Sequence, residues 1–453
     1  MSRSWWRLFL SLAAGVPLAY GAPALLAQEA SASPPEASAS SPEASAPGHP
    51  ADVQASAIFE ATLAAEASSK PAGLRPVERL GKLLFFDRRL SEPQGQACAV
   101  CHGPEVGWTG PDLFINLTGS VYEGAVRGRF GNRKPPSSAY ATQAPVLHLE
   151  APGQAGFVGG NFWDGRATGE ELGNPAADQA QGPFLNPVEQ NNPSEAVVVA
   201  KVCRGPYGDV FRAVYGARIC ADVPRAYDSI ARAIAAYEGS SEVNAFSSKY
   251  DAWLAGRASL TAQERWGLRL FEGKARCDTC HTSRPGRRGE PPLFTDYTFE
   301  NLGVPRNLFN PWYWELPFNP EGPFYVDLGL GAFLFTREEW APFARANLGK
   351  VKVPTLRNVD KRPYPGFVKA YAHNGYFKSL ESIVHFYNTR DVLPVCLSGT
   401  PGIPGVDCWP TPEVGLNLNT REVGDLRLTL QEEQALVAFL RTLSDGYYQR
   451  AAE

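Results

Sequence analysis

Methionine is almost absent from this 453-residue chain, which contains Met1 and no other. A methionine thioether is a common soft ligand of metal centres, and removal of the N-terminus would leave none in the chain. The absence therefore excludes a methionine ligand in an N-terminally processed protein. Another residue type must take that place at any metal centre.

A strong net charge and a long unbroken apolar run are also absent. The net charge of -4 is not the basic footprint of a nucleic-acid-binding protein. Residues 8–28 are apolar, but Pro17 and Pro23 interrupt them, whereas a membrane anchor needs about 20 unbroken apolar residues. The sequence therefore predicts no nucleic-acid partner and no stable membrane span in the mature protein.

The N-terminus has the features of a cleavable secretory signal. Arg3 and Arg7 precede the apolar run, which ends in small residues, so we predict a signal peptide at 1–27 and export to the periplasm. Residues 28–54 are rich in Ala, Ser, Pro and Glu and carry too few large apolar side chains to bury a core. We predict a disordered linker there, before a folded region that starts near Ala55.

Four of the eight cysteines fall into two C-x-x-C-H motifs, CAVCH and CDTCH. Two thiols at this spacing add across the two vinyl groups of a haem, and the imidazole of the next residue then binds the iron. A lone C-x-x-C is also typical of a redox pair or half a zinc site, but a histidine directly after both pairs favours haem c. The predicted haem-binding residues, in which the histidines are the iron ligands, are Cys98, Cys101, His102, Cys277, Cys280 and His281.

The other four cysteines form two pairs that are close in sequence. Neither pair has the C-x-x-C spacing of a redox-active site. In an oxidising compartment such pairs form disulfides that staple loops. We therefore predict the disulfides Cys203–Cys220 and Cys396–Cys408.

The segments before the two haem motifs repeat. Residues 78–85, ERLGKLLF, and residues 264–271, ERWGLRLF, share the pattern E-R-x-G-x-x-L-F. Each is typical of a helix with one apolar face, and Thr261 with Glu264 has the pattern of a capping box. The repeat predicts a duplicated, mostly α-helical architecture of two cytochrome c-type haem domains with long loops.

The boundary between these domains is expected where small polar residues cluster, at 239–246. We therefore predict an N-terminal haem domain at 55–243 and a C-terminal haem domain at 244–446.

Five segments, in this order, carry a resemblance to a known family: LGKLLFFDRRLSEPQGQACAVCH, NFWDGRA with a later QAQGPFLNPVE, CDTCH, VPTLRNVD and AHNGYFKSLESIVHFYN. Over about residues 75–444 the chain resembles the bacterial di-haem cytochrome c peroxidases and their relative MauG, which oxidises a protein substrate. The resemblance implies two covalently bound haem c groups. The first would be the peroxide site, and the second would relay electrons from an outside donor.

The resemblance also implies catalytic residues in the first domain. Peroxide cleavage needs an open iron position and a group that moves a proton between the two oxygens. Glu189 matches the acid–base catalyst of the family, Gln179 the residue that orients the ligand, and Pro183 the residue that shapes the cavity. In the alternative, the N-P-V-E turn is solvated and Glu189 is an ordinary surface carboxylate.

Trp163 matches the tryptophan that lies between the two haems in this family, where an indole passes electrons between the ring systems. The alternative for Trp163 is a plain core aromatic residue. Asp164 and Arg166 are expected to form a local ion pair or to contact a haem propionate. Arg133 is a further candidate for binding a propionate.

Histidine is missing from residues 103–133. Many of these peroxidases block the first iron with a histidine from this loop until reduction releases it. The resemblance therefore implies that the first iron is open without reductive activation, as in MauG-like members. His148, further along the chain, is the less favoured candidate for the blocking position.

The ligand of the second iron is sought in residues 371–388, YAHNGYFKSLESIVHFYN. With Ser379 as the N-cap, a helix places Tyr387 on the same apolar stripe as Leu380. His385 points about 140° away from Leu380. We therefore predict that Tyr387 faces the interior and that His385 faces out or makes a local contact.

The axial methionine of the family, or the tyrosine of MauG, lies at this same distance after the histidine of A-H-N-G, which is His373 here. The resemblance thus implies that Tyr387 is an iron ligand and that His373 is structural or binds a propionate. A hard phenolate stabilises ferric and higher iron, so the second haem would store an oxidising equivalent. In the alternative, Tyr387 only packs in the core.

The chain departs from the family pattern in two places. An insertion, RATGEELGNPAAD, lengthens the link between Trp163 and Gln179. The inter-haem calcium site of the family takes an asparagine from R-N-x-P, but Lys134 stands at that place here, with Asn132 as a candidate substitute. Calcium is therefore a doubtful cofactor. The aromatic segment 307–325 is either a docking patch or a packed loop.

We predict a periplasmic di-haem c peroxidase that reduces hydrogen peroxide at the first haem. Its electrons would come from a small c-type cytochrome or copper protein through the second haem. One alternative is a MauG-like enzyme that directs the oxidised haems at side chains of a partner protein, and Tyr387 favours it. The other is a non-enzymatic electron carrier, which would need both irons filled by internal ligands.

Overall fold

Helices make up most of the regular structure of the computed structural model, which describes residues 50–67, 73–151, 155–396 and 402–447. The mostly α-helical class predicted from the sequence is confirmed. The α-helices within these ranges are α1 Pro50–Ala67, α2 Pro76–Phe86, α3 Cys98–Cys101, α4 Leu113–Leu117, α5 Pro175–Leu185, α6 Glu195–Arg204, α7 Gly208–Tyr215, α8 Val223–Glu238, α9 Lys249–Leu254, α10 Ala262–Glu272, α11 Gly329–Leu334, α12 Ala341–Ala344, α13 Leu380–Thr389 and α14 Leu430–Arg441.

The strands of the described residues are short and form two antiparallel pairs. In the first pair β1 aligns His148 with Val158 of β2, and in the second β3 aligns Phe299 with Lys352 of β4. The strand ranges are β1 His148–Leu149, β2 Phe157–Val158, β3 Phe299–Glu300 and β4 Val351–Lys352. No helix in the described part of the chain is both long enough and apolar enough to cross a membrane.

The folded region begins earlier than the sequence predicts. Helix α1 starts at Pro50, so residues 50–54 of the predicted linker are helical. Alanine and glutamate, which the linker shares with α1, are good helix formers. The rest of the linker and the predicted signal peptide, 1–27, lie outside the described residues.

The repeated motif forms the same kind of helix pair twice. Helix α2 carries the first copy and packs on α8, and α10 carries the second copy and packs on α14. A methyl group on Gly81 would collide with the backbone of Ala233, and one on Gly267 with the backbone of Ala435. The glycine of each copy therefore lets two helices approach closely next to a haem motif.

The helix starts predicted from the sequence are also present. Thr261 Oγ1 accepts a hydrogen bond from the amide of Glu264, whose carboxylate accepts one from the amide of Thr261. This capping box begins α10. Ser379 caps α13, because its hydroxyl oxygen accepts from the amide of Ser382 at 3.0 Å. The cap fixes the residue at which α13 begins.

Two large apolar clusters lie on either side of the boundary expected at 239–246. Phe85, at the end of the first repeat, packs edge-on against Tyr237, and Phe271, at the end of the second, packs against Phe439. All described residues nevertheless belong to one compact unit. The division of the chain into separate domains therefore stays a prediction.

Both predicted disulfides are present. Cys203 of α6 is bonded to Cys220 with a Cα–Cα distance of 6.1 Å, and Cys396 is bonded to Cys408 with a Cα–Cα distance of 5.0 Å. The first ties the end of α6 to the segment that enters α8. Helix α8 forms part of the wall of the cavity described next. The disulfide therefore stabilises the position of one wall of that cavity.

Candidate active site

The first haem motif lies on the wall of a cavity. Helices α2, α3, α5 and α8 form the wall together with residues 122–136 and 186–190. Helix α3 is a single turn, so Cys98, Cys101 and His102 all reach the same space. The sequence spacing thus brings two thiols and one imidazole together by local geometry alone.

The second haem motif lies on the wall of another cavity, beside α10, α13 and α14. Cys277, Cys280 and His281 face it. None of the four motif cysteines is in a disulfide, whereas the other four form the two disulfides. Covalent attachment of two haems requires thiols that are not already cross-linked in this way.

The two motif histidines are prepared to bind a metal. His102 Nδ1 lies 3.2 Å from the carbonyl oxygen of Trp108, and His281 Nδ1 lies 2.8 Å from that of Phe294. Burial lowers the pKa of both imidazoles to about 4, so each ring is neutral and donates from Nδ1. Nε2 is then available to bind iron, as in most metal-bound histidines. The residues of both cavities therefore fit haem c.

The three residues expected to act on peroxide lie together on the first cavity. Helix α5 contributes Gln179 and Pro183, and the turn that follows contributes Glu189. Asn186 Nδ2 donates to Glu189 Oε2 at 3.1 Å. Burial raises the pKa of Glu189, although Arg166 and Asn186 oppose the shift. The site thus holds a carboxyl group that is easier to protonate than one in water.

Histidine is rare around the first cavity. Among the described residues that line it, His102 is the only histidine. His148 lies on β1, is exposed, and has its Nδ1 2.7 Å from the carbonyl oxygen of Val146. The haem motif itself therefore contributes the one histidine among the described residues that line this cavity.

Trp163 lies between the two cavities and lines both of them. Its indole Nε1 donates to the carbonyl oxygen of Lys134 at 2.8 Å, and its own carbonyl oxygen accepts from the amide of Lys352 at 2.8 Å. The residue is 8% exposed. One hydrogen bond to the indole and one to the main chain hold Trp163 between the two cavities.

Tyr387 lines the second cavity together with the second motif. Burial raises the pKa of its phenol, and the nearby thiols of Cys277 and Cys280 act in the same direction. His385 instead turns towards α14, where its Nδ1 lies 3.0 Å from Glu433 Oε1. The helical rotation predicted for α13 therefore agrees with the placement of both side chains.

Arg133 lies at the first cavity but already has anionic partners. Its guanidinium donates to Asp164 at 2.7 Å and to both carboxylate oxygens of Asp327 at 2.6 Å. Asp164 also pairs with Arg166 at 2.8 Å, which is the local ion pair expected from the sequence. The two arginines hold the pKa of Asp164 below its usual value. Propionate binding by Arg133 stays a prediction.

His373 lies beside this ion-pair network and on the wall of the second cavity. Its Nε2 is 3.9 Å from Asp327 Oδ2, and its ring centroid is 6.4 Å from that of Trp163. Burial lowers the pKa of His373 to about 4. A neutral imidazole in this position suits the structural or propionate-binding role expected from the sequence.

Three ionisable residues at the site were missed by sequence reasoning. Burial raises the pKa of Glu238, on the first cavity, to about 8. Burial lowers the pKa of Lys352, on the second cavity, to about 7, and its Nζ donates to Asn161 Oδ1 at 2.7 Å. No sequence motif around Asp327 indicates that it belongs to the site. Glu238 could have been found, because it ends an amphipathic helix, but it lies beside the segment interpreted as a boundary.

The residues at the expected calcium position have other partners. Lys134 Nζ donates to Thr109 Oγ1 at 2.8 Å and to the carbonyl oxygen of Pro135 at 3.0 Å. Asn132 Nδ2 donates to the hydroxyl oxygen of Tyr325 at 2.9 Å. A lysine ammonium thus lies where the family pattern has its asparagine, and the calcium site stays an open expectation.

Comparison with known proteins gives consistent matches. The family model of di-haem cytochrome c peroxidase matches residues 76–259. The methylamine utilization protein MauG of Paracoccus denitrificans is 35% identical over 379 residues, which cover 83% of this chain and 90% of that protein. The cytochrome-c peroxidase IdrP1 of Denitromonas iodatirespirans is 28% identical over 378 residues, which cover 81% of this chain and 80% of that protein.

A solved structure shares the fold. The diheme peroxidase BthA from Burkholderia thailandensis E264 superposes with a TM-score of 0.68 and 33% sequence identity. The match covers 84% of this chain and 89% of that one. With two haem motifs on two cavities, a tryptophan between them and relatives matched over most of their length, this chain belongs to the di-haem cytochrome c peroxidase and MauG family.

Proposed function

We propose that this chain is a periplasmic di-haem c peroxidase, which reduces hydrogen peroxide to water at the first cavity. The observation that carries the proposal is the composition of that cavity. His102 provides one iron ligand, Glu189 and Gln179 provide polar groups for peroxide, and no second histidine lies among the described lining residues. This combination leaves room for an oxidant next to an acid–base group.

The residues of the first cavity divide the chemistry between them. Haem held by Cys98, Cys101 and His102 would supply the redox chemistry of the reaction. Glu189, as a carboxylate, accepts a proton from one peroxide oxygen and returns it to the other, which leaves as water. Gln179 orients the peroxide by hydrogen bonding, and Pro183 limits the space around it. The whole reaction consumes two electrons and two protons and gives two molecules of water.

Electrons would reach the first cavity through Trp163 from the second haem. Cys277 and Cys280 would attach that haem, and His281 and Tyr387, which line the same cavity, would bind its iron. Because burial raises the pKa of Tyr387, its phenol loses the proton only when a cation takes its place. A small c-type cytochrome or copper protein in the periplasm is the proposed donor.

A second candidate is MauG-like oxidation of side chains in a partner protein. The position of Tyr387 on the second cavity favours it, since an oxygen ligand stabilises oxidised iron and disfavours electron uptake from a mild donor. The 35% identity to the Paracoccus protein named MauG supports the same candidate. Relatives named cytochrome-c peroxidase match as well, so the choice rests on an experiment.

The test adds one equivalent of hydrogen peroxide to the haem-loaded protein and follows its optical spectrum. Rapid oxidation of added reduced cytochrome c supports the peroxidase. A long-lived spectrum oxidised at both haems, with slow cytochrome c oxidation, supports the MauG-like enzyme. An unchanged spectrum contradicts both and leaves the electron carrier.

A further inference from the structure

The aromatic segment 307–325 is not explained by the proposed function. Its short 3-10 helix, Pro311–Trp314, is held firmly in place. Asn310 Nδ2 donates to the carbonyl oxygen of Asn132 at 2.8 Å, and Asn319 Nδ2 donates to the carbonyl oxygen of Trp312 at 3.0 Å. These bonds fix the segment at the rim of the first cavity, so it is a packed element with a defined inner side.

Trp312 is the inner end of this segment. It is the one residue of 307–325 among those that line the first cavity. Its indole Nε1 is buried and has no hydrogen-bond partner among the described residues. Tyr325 packs edge-on against the indole, with a centroid distance of 5.9 Å and an interplanar angle of 79°. The ring of Trp312 is therefore held against the space that the first haem would fill.

Trp314 is the outer end of the same 3-10 helix. It is two residues from Trp312 and 70% exposed. Phe309 and Phe324, from the same segment, are 73% and 84% exposed. Large aromatic groups are usually covered, and an exposed cluster of them is a feature that calls for a function. The segment thus connects the first cavity to an aromatic outer surface over a single helical turn.

We propose that Trp312 and Trp314 form a second electron route, which links the first haem to the protein surface without Trp163 or Tyr387. The inference rests on the proposed reaction with peroxide. Of the two electrons that peroxide takes up, one leaves the indole of Trp312, whose proton stays on Nε1. Trp314 restores Trp312 by giving it one electron, and the Nε1 proton of Trp314 passes to solvent. The second electron comes through the second haem, so the charge balance is complete.

The route differs in chemistry from the one through Trp163. Trp163 is 8% exposed, and its Nε1 proton is bonded to the carbonyl oxygen of Lys134. Trp314 has open access to water, which accepts its proton. The outer route therefore ends in a neutral radical at the surface, and that radical can be captured where it forms.

The experiment treats the haem-loaded full chain with hydrogen peroxide and a nitroso spin trap, without an electron donor. Peptide mass spectrometry then locates the covalent adduct. We expect the adduct on Trp314 in the unmodified protein and its loss in Trp312→Phe. Trp312→Tyr keeps an oxidisable ring and should restore the adduct. Trp340→Phe is the matched control, since Trp340 is buried against Phe157 away from both cavities, and it should keep the adduct.

A further variant removes the outer end without touching the cavity. Trp314→Phe changes an exposed side chain, so folding and haem content should be unaffected. The spectrum of the peroxide-oxidised haems should then outlast that of the unmodified protein, because one source of electrons is gone. Equal lifetimes contradict the route, as does an adduct on Trp314 that persists in Trp312→Phe.

The outcomes separate this inference from the proposed function. If peroxide changes the haem spectrum but the trap never labels Trp314, the route is refuted and the peroxide reaction stands. If peroxide leaves the spectrum unchanged, both are refuted.

Discussion

Replacement of Glu189 by glutamine tests the proposed acid–base role most sharply. The amide has the shape of the carboxyl group and keeps an oxygen that can accept from Asn186 Nδ2, now 3.1 Å from Glu189 Oε2. What it loses is the ability to take and return a proton. General acid–base catalysis contributes about 10²–10⁴-fold, which corresponds to roughly 3–5 kcal/mol of transition-state stabilisation. We expect kcat/KM for peroxide to fall by that factor in Glu189→Gln.

The assay measures peroxide-dependent oxidation of reduced cytochrome c at several peroxide concentrations. Haem content and the ferric spectrum of Glu189→Gln should match those of the unmodified protein, since Glu189 is not an iron ligand. Glu195→Gln is the control, because Glu195 lies in the first turn of α6 and does not line the cavity. A loss of less than about tenfold, well under the acid–base range, would refute the role of Glu189.

The pH profile gives a second readout for the same residue. Burial raises the pKa of Glu189, and only its deprotonated form can accept the proton of peroxide. Activity should therefore fall as the pH is lowered through this raised pKa. The acid limb of the profile should disappear in Glu189→Gln, and a limb that remains unchanged would assign it to another group.

Three further predictions concern packing, the second haem and a disulfide. Gly267→Ala should lower the free energy of unfolding, measured by denaturant titration, by about 1–3 kcal/mol through overpacking. Gly182→Ala is the control and should not lower it, because the added methyl group would have its nearest neighbouring atom 3.6 Å away. Equal effects of the two substitutions would contradict the close approach of the helices. Tyr387→Met should raise the potential of the second haem in a spectroelectrochemical titration, because a thioether favours ferrous iron, and an unchanged potential argues that Tyr387 only packs. Serine at Cys203 and Cys220 should lower stability by about 3 kcal/mol for the lost 17-residue cross-link, seen as a lower Tm, and no change in Tm would contradict that estimate.

The features that the sequence predicts well are local ones. Each C-x-x-C-H motif places its two thiols and its imidazole on the wall of one cavity, because a single turn fixes their relative positions. The same reasoning places Tyr387 and His385 on different sides of α13, since Ser379 sets where that helix begins. Both disulfides join cysteines that are close in sequence, so few other cysteine pairings compete with them.

The features that the sequence misses depend on distant partners. Arg133 is matched by Asp327, which lies 194 residues away and follows the aromatic segment. Neither residue carries a pattern that reveals the other, because the chain path between them is set by packing. The pKa shifts of Glu238 and Lys352 likewise follow from burial by several segments at once. Tertiary contacts of this kind are invisible to periodicity and spacing.

Electron paramagnetic resonance of the oxidised, haem-loaded protein tests the central claim most directly. The claim is that the first iron keeps a position free for peroxide and that the phenol oxygen of Tyr387 closes the second. The account predicts one high-spin ferric signal and one low-spin signal, with the low-spin signal altered in Tyr387→Phe and the high-spin signal retained. Two low-spin signals that are both unaffected by this substitution would contradict it.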